Sequence, residues 1–134
     1  MFHPKAAAKP NAIVALVAEP LLAGIIGGSF NHFSETDPTY QTARTALMYA
    51  SIVALANLAS TQGTRYLMPD IFKTEKLKRI QHAGINAGVT AGLNVWLQSM
   101  MQTPKDLRVN HNLIAGAIAG GGASVGAPMV LQFV

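Results

Sequence analysis

The chain has 134 residues, half of them apolar and only 12% charged, where soluble domains average about 25% charged. At this length a single domain is expected, and the absence of cysteine excludes a disulfide framework or a thiolate metal site. The formal net charge of +4 rests on few basic residues lying beside apolar windows, so no nucleic acid is expected and anionic lipid headgroups are the more economical partner.

The charges are clustered. Besides His82, windows 12–30, 45–61, 82–101 and 113–134 hold a single acidic or basic residue between them, and that residue is Glu19. Four soluble amphipathic helices would each need a solvated polar face. The sequence therefore predicts an all-α, polytopic membrane bundle of four transmembrane helices, with spans at about 12–30, 43–61, 82–101 and 113–133.

Residues 1–11 read as a short polar arm with Lys5 and Lys9. The apolar run after it resembles a signal peptide, but Glu19-Pro20 interrupts it and a retained first span is expected. Span one, at ~1.5 Å per residue, is roughly 28 Å long, close to the hydrocarbon thickness of a bilayer. Residues 31–41 form a loop with Asp37-Pro38 as turn chemistry. Span two keeps a period of four through Ala46, Ala50 and Ala54. The basic segment 62–81 contains Gly63 as a helix stop and then a short helix over 71–80. That helix, lying in the headgroup plane, would put Lys73, Lys76, Lys78 and Arg79 against lipid headgroups; a solvated basic loop is the plainer alternative. Pro104 interrupts the loop 102–112 before span four.

Three octads repeat one pattern: LLAGIIGG at 21–28, INAGVTAG at 85–92 and LIAGAIAG at 113–120. A spacing of four puts small residues on one helix face, and such faces let backbones approach closely where lipid supplies no hydrophobic drive between helices. The predicted packing faces are Gly24 and Gly28; Gly84, Gly88 and Gly92; and Gly116, Gly120, Gly122 and Gly126. Seven basic residues lie in the arm and middle segment, against Arg44, Lys105 and Arg108 in the other loops. Both termini are thus expected on the basic-loop side. By depth, the octads of spans one and four should cross, and the octad of span three should meet Gly122 and Gly126. The row Gly84–Gly88–Gly92, with Asn86 beside it, is the expected face for a partner protein.

Glu19 is the sharpest chemical feature. A carboxylate in hydrocarbon costs several kcal/mol, so it should be neutral, paired or facing water. Pro20 also frees the carbonyl of Leu16 from its usual partner. Glu19, Asn57 and Asn86 form the candidate intramembrane proton or ion site; a structural glutamate stabilising the bundle is the alternative. Asn57, Asn86, Asn94 and Gln98 either line a pore or act as hydrogen-bonding glue between helices. His3, His32, His82 and His111 lack an i, i+4 partner for a metal and read as interfacial residues. No metal, cofactor or catalytic constellation is expected, and the chain is not read as an enzyme.

Four short helices with a first-helix glutamate, through residues 16–19, resemble the small multidrug resistance transporters in outline. Residues 112–122, an Asn before an AGAxxG-type run, look like the mitochondrial inner-membrane preprotein-translocase channel family and its respiratory-complex relatives. The short loops, absent catalytic residues and abundant packing faces favour a structural or accessory subunit of a larger membrane assembly of the respiratory or translocase type, with the bilayer and other membrane subunits as partners. A structural protein of a virion with an internal membrane is the alternative of the same class; a small proton-coupled transporter or pore using Glu19 is the alternative of another. Mitochondrial inner membrane, virion membrane and bacterial inner membrane all fit the composition.

Overall fold

The computed structural model describes residues 12–67, 76–102 and 108–131. These form four α-helices: α1 Ala12–Ser34, α2 Ala43–Leu67, α3 Lys76–Met101 and α4 Val109–Leu131, with one 3-10 turn, Pro38–Tyr40, between α1 and α2. No strand occurs among the described residues. Each helix packs antiparallel to its chain neighbour, and α4 closes on α1 to complete a four-membered ring. Both ends of the described chain and the α2–α3 connection therefore lie at one end of the bundle.

Local chemistry explains the boundaries. Thr42 caps α2 by accepting the Thr45 amide at 3.1 Å, and Asp37 caps the 3-10 turn by accepting the Thr39 amide at 2.9 Å. α1 runs through Pro20, and α4 contains Pro128. Two expectations fail here. Gly63 does not stop α2, which continues to Leu67, because no residue after Gly63 breaks the helix before the connection. The basic segment is shorter than 62–81, since Lys76 already begins α3; the predicted short helix lies partly outside the described residues.

The interior is layered. Ala23, Val53, Ala115, Ala119 and Ala123 form an apolar core with Tyr49, against which Leu22, Ile26 and Phe30 pack. On either side of it the largest fully buried side chains are polar: Gln98, Asn31, Asn57, Asn86, Asn94, Asn112, Thr90 and Ser60. Large apolar side chains such as Leu21, Ile25, Leu47, Leu55, Trp96, Ile118 and Val125 face outward. Among the described residues one helix, Val109–Val130, is long and apolar enough to cross a membrane, which is weak evidence of membrane association.

The glycines pack helices together, though not in the predicted pairs. α1 packs beside α4 and α3 beside α4, as expected, and Ala23 of the first octad shares a buried core with Ala115 and Ala119 of the last. Gly24 and Gly28 themselves face α2, where an added methyl would come within 3.0 Å of the Ala50 carbonyl oxygen and 2.6 Å of the Ala50 Cβ. Gly116 and Gly120 face α3, within 2.7 Å of the Ala91 Cα and 2.6 Å of the Asn86 carbonyl oxygen on the same measure. Gly122 and Gly126, expected against α3, receive Ile26 and Leu22 of α1. A hollow left by glycine is filled best by a larger side chain or a close backbone, so glycine rows do not pair with one another. Gly84, Gly88 and Gly92 have nothing within 4 Å of the place a methyl would occupy, and they lie on the outer surface of α3.

Candidate functional site around Glu19

Glu19 sits one turn above the apolar core, on the side of α1 that faces the bundle. Its carboxylate oxygen Oε1 accepts from Asn86 Nδ2 at 2.8 Å and from the Ser124 hydroxyl at 2.8 Å, and His82 Nε2 lies 3.1 Å away. The Glu19 side chain is 15% exposed and that of His82 is 9% exposed. One oxygen of α1 is thus held by groups from α3 and α4.

Asn86 is the hub. Its amide nitrogen also lies 3.2 Å from the Gly120 carbonyl oxygen and 2.7 Å from Ser124 Oγ. Its Oδ1 accepts from the Ser60 hydroxyl of α2 and from Thr90 Oγ1 at 3.3 Å. Thr90 Oγ1 in turn accepts from Asn57 Nδ2 at 3.2 Å. The three residues expected at an ion site therefore belong to one network: Glu19 bonds Asn86 directly, and Asn57 joins through Thr90. Asn57 Oδ1 is buried and has no hydrogen-bond partner.

A second network closes the opposite end. Tyr49 donates its hydroxyl to Asn112 Oδ1 at 2.8 Å, Asn94 donates to the Asn112 carbonyl at 2.9 Å, and Gln98 donates to Asn94 Oδ1 at 3.1 Å. Asn112 Nδ2 reaches Gln102 Oε1 at 3.1 Å. Toward solvent, Asn31 Oδ1 accepts from Arg108 Nη2 at 3.1 Å and lies 2.8 Å from His111 Nε2, while Arg108 pairs with Glu35 at 3.1 Å. His111 stacks on Phe30 with ring centroids 5.2 Å apart. Among the described residues no hydrogen bond joins the two networks, which occupy successive turns of α3 at Thr90 and Asn94 beside the core of Ala23, Val53 and Ala119.

Chemically, the Glu19 cluster is a set of polar groups converging on one carboxyl oxygen. That arrangement ties three helices together and holds the carboxylate as an acceptor. Asn57, Asn86, Asn94 and Gln98 all bond across helices. His82 and His111, expected as interfacial residues, each reach an α1 side chain. Sequence reasoning missed His82, Ser60, Thr90 and Ser124 as partners of the cluster. The signal for the α3 members was present: His82, Asn86, Thr90, Asn94 and Gln98 recur every four residues, and all are buried. Ser60 and Ser124 carry no such signal. Among the described residues no group of three His, Cys, Asp or Glu could hold a metal. Lys73 and the side chains of Lys76, Lys78 and Arg79, expected at lipid headgroups, lie outside the described residues.

No family model, no curated protein and no solved structure matches this chain.

Proposed function

We propose that the chain is a multi-pass membrane protein acting as a non-enzymatic structural or accessory subunit of a larger membrane assembly, of the respiratory- or translocase-complex type. The observation that carries this reading is the inverted distribution of polarity. Amide and hydroxyl side chains fill the interior, while leucine, isoleucine, valine and methionine cover the outside. In water the outer surface would be an uncommonly large apolar patch, whereas in lipid it needs no cover. On α2, the exposed cations Arg44 and Arg65 are separated by about 31 Å of helix at ~1.5 Å per residue, and the exposed side chains at 47, 48, 51, 55 and 59 are uncharged. That interval matches a hydrocarbon thickness of about 30 Å.

A subunit role is favoured over a pore because the interior is spent on cohesion. The donors around Glu19 are engaged, and a buried core of alanines with Val53 and Tyr49 packs beside the two networks. The open face of Gly84, Gly88 and Gly92 would accept a partner helix at close range. Two measurements test the proposal. Alkaline carbonate should leave the protein in the membrane pellet; release into the supernatant would end the membrane reading. Native mass spectrometry after mild detergent extraction should find stoichiometric partners, and Gly88→Ile should lose them while the bundle stays folded. A homo-oligomer that supports ion flux after reconstitution would instead favour the transporter reading.

A further inference from the structure

Glu35 and Arg108 each stand at the wrong end of their own helix. Glu35 follows Ser34, the last residue of α1, where the helix terminus is negative and an anion is disfavoured. Arg108 precedes α4, and its carbonyl accepts the Asn112 amide at 2.9 Å as the first bond of that helix. A cation is disfavoured at that positive end. Because α1 and α4 are antiparallel neighbours, each charge is suited to the neighbour's terminus rather than its own. The two groups meet at 3.1 Å, with Glu35 nearly buried and Arg108 38% exposed on the side-chain measure. The arrangement is favourable only while the ends of α1 and α4 stay together.

The pair also closes something. Arg108 Nη2 donates to Asn31 Oδ1 and its backbone amide reaches Gln102 Oε1 at 3.4 Å, so it bridges the end of α1 to the network of Asn112, Asn94, Gln98 and Tyr49 behind it. Glu35 Oε1 accepts the Asp37 amide at 3.1 Å, which fixes the start of the α1–α2 loop to the same pair. Among the described residues no hydrogen bond joins this network to the Glu19 cluster, so this end can open without breaking the bonds of the other.

We propose that Arg108 and Glu35 form an electrostatic latch that holds the loop end of the bundle shut over the Tyr49–Asn94–Asn112 network, and that its release admits water there while the Glu19 end stays closed. Arg108 is 38% exposed, so salt screens the pair in part, and ionic strength or a competing charged group can work the latch.

The chain has no cysteine, so single cysteines report local opening cleanly. Ala115 and Ala123, both fully buried, lie toward the latch end and the Glu19 end respectively. In the full-length chain in mild detergent, Arg108→Gln should speed maleimide modification of Ala115→Cys about tenfold and leave Ala123→Cys unchanged, a difference of roughly 1.4 kcal/mol in opening. The exchange Arg108→Glu with Glu35→Arg should restore part of the slow rate, since it remakes the ion pair but not the bonds to Asn31 and the Asp37 amide. Raising salt from about 0.05 M to about 1 M should speed the parent but not Arg108→Gln. Equal rates with and without Arg108, a parallel rise at Ala123→Cys, a parent indifferent to salt, or an exchanged pair as reactive as the single variant would each overturn the latch.

Discussion

One carboxylate oxygen at position 19 takes hydrogen bonds from two helices, and this makes its removal and its replacement different experiments. Glu19→Leu fills similar volume but leaves the Asn86 amide and Ser124 hydroxyl without that acceptor. Each buried donor so stranded costs about 1–3 kcal/mol, although Asn86 and Ser124 have other partners that soften the loss. Glu19→Gln keeps an acceptor oxygen in place and should cost less than Glu19→Leu in a denaturant titration in detergent. If Glu19→Gln also preserves every activity of the protein, Glu19 is a tie between helices and couples no proton. The sequence pointed at Glu19 because charge is expensive in an apolar run. It could not name Ser124 or Ser60 as partners, since a serine in an apolar run is chemically unremarked until a second helix brings a polar group to it.

At the level of the helix, two rows on α3 share a period of four but lie on opposite faces. Gly84, Gly88 and Gly92 are each two residues from His82, Asn86, Thr90 and Asn94, and two residues correspond to a turn of about 200°. Only one row can face the bundle. The polar row does, because leaving an amide group unsatisfied in an apolar setting costs more than leaving a glycine uncovered. The consequence is measurable by thermal unfolding. Gly120→Ala would drive a methyl to 2.6 Å from the Asn86 carbonyl oxygen, and Gly116→Ala would drive one to 2.7 Å from the Ala91 Cα. Backbone cannot yield as a side-chain tip can, so each should destabilise by about 1–3 kcal/mol. Gly88→Ala, with open space around it, should leave the isolated bundle unchanged or stabilise it by up to ~1 kcal/mol through helix propensity. Equal losses at positions 88 and 120 would contradict this packing.

For the molecule as a whole, the antiparallel ring places the α1–α2 and α3–α4 connections at one end and the α2–α3 connection at the other. On the proposed multi-pass reading, Thr39→Cys and Tyr66→Cys, both at exposed positions, should react in sealed vesicles with an impermeant reagent from opposite sides. Labelling of both from the same side would rule out an odd number of crossings between them.

The sequence by itself determined that the chain is helical, that the helices come as four long segments, and that polar side chains recur within apolar runs. These follow from local spacing and composition, which neighbours in the chain already specify. The tertiary structure alone decided which faces meet: Gly24 and Gly28 on α2 rather than α4, Gly116 and Gly120 on the polar row of α3, Gly84–Gly92 turned outward, and Arg108 joined to Glu35 across more than half the chain. A period of four defines a face but not its partner. Partnership depends on complementary size and on hydrogen-bond satisfaction between residues distant in sequence, and no single helix carries that information.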